Sequence, residues 1–69
     1  MEEIRQDGKT MLSSTDGSTI KIIFNNLTGR NFDDKKEYQR YRQFAMAYGF
    51  HAGTIERYEN GELKETANL

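Results

Sequence analysis

Between Ser18 and Phe24 apolar residues recur with a period of two, Ile20, Ile22 and Phe24 falling on one face and Thr19, Lys21 and Ile23 on the other. That alternation predicts a β-strand with one buried side. Upstream, Thr10-Met11-Leu12-Ser13-Ser14 makes a weaker partner, and Asp16-Gly17 stands between the two stretches. An Asp-Gly pair in that place signals a hairpin, because a type I′ turn needs positive φ at both central residues. The expected element is a β-hairpin over residues 9–24, preceded by a polar, flexible arm over residues 1–8. Two strands alone are marginal in water, so the hairpin's apolar face must rest on another element.

From Asp34 the period changes to 3.6. Tyr38, Tyr41, Phe44, Ala45 and Tyr48 share one stripe, with Lys36, Arg40, Arg42 and Gln43 on other faces. Asp34 and Glu37 have capping-box spacing, and Gly49 stands just past the last periodic residue. A long helix is expected over residues 34–48. Ile55 and Tyr58 are spaced to share the inner face of a shorter helix over residues 52–60, with Gly61 at its stop. Residues 62–69 add a turn of helix or fray. The resulting fold class is α+β: an N-terminal β-hairpin packed on a C-terminal pair of helices.

The chain has 69 residues, enough for one small core and too few for two. Ten basic and eleven acidic side chains leave a net charge of -1, which excludes a protein held on DNA by bulk charge alone. The absence of cysteine removes disulfide frameworks, thiolate zinc sites and iron–sulfur clusters. His51 is the sole histidine, so no multi-histidine metal site can form. No apolar run approaches the ~20 residues of a membrane span. The acidic start Met1-Glu2-Glu3 lacks the basic and apolar regions of a signal peptide, and a cytoplasmic protein without membrane contact is expected. The six glycines are scattered rather than gathered in a phosphate loop, and no serine stands in a nucleophile elbow. Helix capping accounts for Asp33, Asp34 and Glu37. No enzymatic activity, no cofactor and no metal are expected.

Residues 41–61 carry a more particular spacing. Ala45 is small where two helices would touch, Gly49 follows four residues later, Ile55 six beyond that, and Tyr58 three further on. Phe44, Tyr48 and Phe50 also fall on apolar positions. The window resembles the helix-turn-helix of the phage repressor and Cro (XRE) family, most clearly at Phe44–Phe50 and Thr54–Gly61. The resemblance implies a small regulator that binds double-stranded DNA sequence-specifically, of phage or mobile-element type. On that reading the helix from Ala52 enters the major groove with Arg57 and Asn60 at base edges. Arg40, Arg42 and Gln43 hold phosphates, while His51 and Thr54 bond near the helix N-terminus, where the dipole favours phosphate. Between residues 30 and 50 five basic side chains stand against three acidic ones, but residues 52–60 carry only Arg57. A homodimer, doubling the contacts, is therefore expected. A second reading is a protein-interaction module, such as a small phage-encoded inhibitor of a host enzyme, with no DNA binding. The acidic C-terminal stretch and the open edge of a lone hairpin suit it.

Overall fold

The computed structural model describes residues 1–69. Two Asx-Gly turns, Asp7-Gly8 and Asn60-Gly61, fold its hairpins. Their φ values of 54° and 76°, and of 51° and 82°, are the positive pair that a type I′ turn requires. The first turn joins β1 (Glu2–Gln6) to β2 (Lys9–Ser14), and the second joins β3 (Thr54–Glu59) to β4 (Glu62–Asn68). Between the hairpins run α1 (Gly17–Leu27) and α2 (Lys35–Tyr48). All four strands form one antiparallel sheet in the order β2-β1-β3-β4. The first strands of the two hairpins meet at its centre.

Register decides which side chains are covered. Ile4 stands beside Leu12 in β2 and Arg57 in β3, and Ile55 stands beside Ala67 in β4. These residues share one face, and α1 lies on it with Ile20, Phe24 and Leu27 turned inward. Each fully buried aliphatic or aromatic side chain contributes about 1.5–3 kcal/mol, so stability concentrates between α1 and the central strands. Helix α2 packs on α1, giving the core only Ala45, and Phe50 just beyond it and Leu69 after β4 complete the cluster. The other face of the sheet is polar. There Arg5 lies 4.0 Å from the Tyr58 ring centre and donates to Glu3 at 2.8 Å, while Thr10 donates to the same carboxylate.

This architecture corrects the expectation of an N-terminal hairpin on a C-terminal helix-turn-helix unit. Residues 9–24 are not one hairpin: they are β2 followed by most of α1. The Asp16 carboxylate accepts from the backbone of Ser18 and Thr19 and from the Thr19 hydroxyl, so it caps a helix instead of turning a strand. From there Ile20, Ile23, Phe24 and Leu27 follow helical spacing, and Ile22, inward in the alternating pattern, is 55% exposed. Residues 52–60 are not a helix either. Ile55 and Arg57 face the core while Glu56 and Tyr58 face the opposite side, the period of a strand. Residues 1–8 are not a free arm, because β1 occupies the sheet centre and Ile4 is fully buried. The helix α2, by contrast, occupies the segment expected to be helical, capped by Asp34 at its start.

Candidate functional site

The aromatic stripe of α2 is wider than the strip of α1 that it covers. Ala45 reaches the core, but Phe44 remains 76% exposed and Tyr48 63% exposed. Between this uncovered part of the stripe, α1 and β2 lies a groove of about 280 Å³. Leu27, Ala45 and Phe50 form its buried floor. Its walls are Leu12 from β2, Ile23 from α1, and Tyr41, Phe44 and Tyr48 from α2. Every lining residue is aliphatic or aromatic. Pockets for small ligands hold about 300–1,000 Å³ with a few convergent polar groups, so this groove suits side chains better than a cofactor.

Two of the wall residues, Tyr41 and Tyr48, pair with neighbouring rings. Tyr48 stacks on Phe50 at 6.4 Å, and Phe32 sits 5.6 Å from Tyr41 and 6.0 Å from Tyr38. The Tyr38 hydroxyl donates to the Leu27 carbonyl at 3.0 Å, tying the start of α2 to the end of α1. Phe44 takes part in none of these pairings and stands free on the rim. Beyond it the surface continues into a shallow hollow lined by Arg40, Gln43 and Ala47.

Two further features bear on what the groove can hold, and Arg40 stands beside its rim residue Phe44. Helix α2 carries Lys35, Lys36, Arg40 and Arg42 against the single carboxylate of Glu37. Lys9, Lys36 and Arg40 belong to no ion pair. The strand beneath is also open. β2 is an edge of the sheet, and its outer main-chain groups have no backbone partner. Its one charged residue is Lys9, whereas the other edge, β4, bears Glu62, Lys64 and Glu65. Charged side chains discourage strand addition, so β2 is the less guarded edge.

A family model described as a domain of unknown function (DUF7688) matches residues 1–69. The chain belongs to this family. No curated protein and no solved structure matches it. No helix is long and apolar enough to cross a membrane.

The residues expected to touch DNA do not converge on one surface. Arg40 and Gln43 stand together beside Phe44, but Arg42 turns to the far flank and donates to the Leu69 carbonyl at 3.2 Å. Arg57 is 7% exposed and lies on the helix-covered face, donating at 2.7 Å to both Glu59 and Glu65. Burial works against its charge, yet those two carboxylates outweigh it and raise its pKa. Arg30, and then Arg57, hold Glu65 below the usual carboxylate range. Thr54 pairs across the strands with Asn68, and Asn60 lies in the hairpin turn, bonded to Met1. His51 sits in the loop before β3. The Ala52 carbonyl and the Asp7 carboxylate against its two ring nitrogens raise its pKa. Its main chain is clamped by the buried Gln6, which donates to the His51 carbonyl at 2.7 Å and accepts from its N–H at 3.0 Å.

The groove residues are only half visible in the sequence. Phe44, Tyr48 and Phe50 stand out as apolar positions, but as the inside of a helix-turn-helix. Leu12, Ile23 and Leu27 fall, by pattern, in a hairpin and a connection. The spacing of Ile20, Ile23, Phe24 and Leu27 is the signal that puts a second helix beside α2.

Proposed function

We propose that this chain is a protein-interaction module whose groove between α1, α2 and β2 seats apolar side chains of a partner protein. The observation that carries the reading is Phe44, exposed and unpaired on the wall of an entirely apolar groove. Contiguous apolar surface rimmed by polar residues marks contact sites, and aromatic anchors dominate their energetics. The rival reading, a helix inserted in the major groove of DNA, loses its instrument, because the segment expected to be that helix holds the strand Thr54–Glu59 and Arg57 is occupied by two carboxylates.

The test is selection from a displayed library of random 12-residue peptides on the intact chain. Peptides that bind the groove should lose about tenfold or more in affinity on Phe44→Ala. Leu63→Ala, which removes an exposed apolar side chain from β4 that does not line the groove, should change nothing. Selected peptides that bind the Phe44 variant as tightly as the parent would place the contact elsewhere. Retardation of duplex DNA that weakens steeply with salt would return nucleic acid as the partner.

A further inference from the structure

We infer that the partner enters as an extended segment, adding a fifth strand beside β2 with alternate apolar side chains in the groove and carboxylates beside the unpaired cations. The inference rests on the groove reading and specifies its occupant. Three observations carry it. The outer edge of β2 is unpaired, and Thr10–Ser14 contains neither charge nor proline to repel a neighbouring strand. The groove begins on that same strand, since Leu12 is both a residue of β2 and a wall of the cavity. A strand laid outside β2 would run about 4.8 Å from it, and every second side chain would then point to the face that carries α1 and α2. Main-chain pairing and side-chain anchoring are thus available to one and the same segment, the combination that strand-addition partners use.

Charge selects among occupants. Lys9, Lys36 and Arg40 are unpaired, and the only acidic side chain on α2 is Glu37. A second copy joined β2 to β2 would bring the same cations with it, whereas a foreign segment carrying Asp or Glu neutralises them. A helix lying in the groove would bury the apolar wall but leave the β2 main chain open.

Peptides selected on the intact chain, then synthesised, decide the matter. The expected consensus has apolar residues at i and i+2 with acidic residues beside them. N-methylation of the amides on one edge of the peptide should weaken binding about tenfold or more, while methylation of the other edge is tolerated. Arg40→Glu should weaken the acidic peptides and favour versions with Lys in place of Glu. Apolar spacing of i, i+3 and i+4, or tolerance of methylation at every amide, overturns the strand. If Phe44→Ala still weakens such peptides, the groove stands and only the mode of entry falls. A dimer at micromolar concentration in sedimentation equilibrium, dissociated by Phe44→Ala, would give the groove to a second copy and overturn the inference as well.

Discussion

Gly49 ends α2 with φ 128° and ψ -5°, donating its N–H to the carbonyls of Ala45 and Met46. An L side chain is strained in that conformation, and a Cβ there would also sit 3.4 Å from Met11 Cε. Gly49→Ala should therefore cost about 1 kcal/mol or more in urea denaturation. An unchanged midpoint would show that the chain relaxes the turn without penalty. Arg57 makes a different kind of test, since the DNA reading places it at a base edge, outside the core. With two charge-assisted hydrogen bonds on the covered face of the sheet, Arg57→Ala should instead destabilise by roughly 1–3 kcal/mol. A variant as stable as the parent would mean that Arg30 alone satisfies Glu65.

Three Asx-Gly pairs punctuate this chain, and at the scale of elements the residues downstream of each decide its role. Asp7-Gly8 and Asn60-Gly61 turn hairpins, while Asp16 caps α1 and Gly17 is its first residue. Asp16→Ala removes the acceptor for Ser18 and Thr19, and should lower the thermal midpoint by a few degrees. The same change of midpoint on Asp7→Ala, but not on Asp16→Ala, would place the cap's importance elsewhere. Helix α2 was legible because its signals are local: a periodic stripe, an aspartate ahead of it and a glycine behind. Residues 18–24 satisfy both a period of two and a helical spacing, and only Leu27 and the cap of Asp16 break the tie. β1 was illegible for another reason. Glu2-Glu3-Ile4-Arg5-Gln6 has one apolar residue, and its place at the centre of the sheet comes from pairing with β3, more than fifty residues away in sequence. β3 in turn resembled a helix because Ile55 and Tyr58 are three apart. Yet Tyr58 faces outward under Arg5, and the inward partner of Ile55 is a charged residue, Arg57. A buried arginine hides a strand from any reading that counts apolar positions.

For the whole molecule, the charge network sets how stability responds to pH. Arg30 and Arg57 depress Glu65, Arg57 depresses Glu59, Arg5 and Thr10 depress Glu3, and Thr19 with Ser18 depresses Asp16. A carboxylate with a depressed native pKa stabilises the fold above its unfolded value of about 4 and loses that contribution as pH falls through the native one. All four therefore act on the acid side, and in the same direction. His51 has the opposite sign: the Ala52 carbonyl and Asp7 raise its pKa, so its contribution is complete below the unfolded value of about 6.5. It disappears as pH climbs through the raised native value. The thermal midpoint, followed by circular dichroism, should accordingly be highest between about pH 5 and 6 and decline on both sides. His51→Gln should flatten the neutral limb and leave the acid limb in place, whereas Glu65→Gln should reduce the acid limb alone. A parent midpoint that stays level from pH 6 to 8 would mean that His51 and Asp7 do not meet in solution. The neutral limb belongs to His51, which holds the β1–β2 turn, whereas Glu65, which bridges β4 to the helix side, is one of four contributors to the acid limb. Because neither group lines the groove, peptide affinity should stay constant across that pH range apart from ionisation of the peptide's own carboxylates.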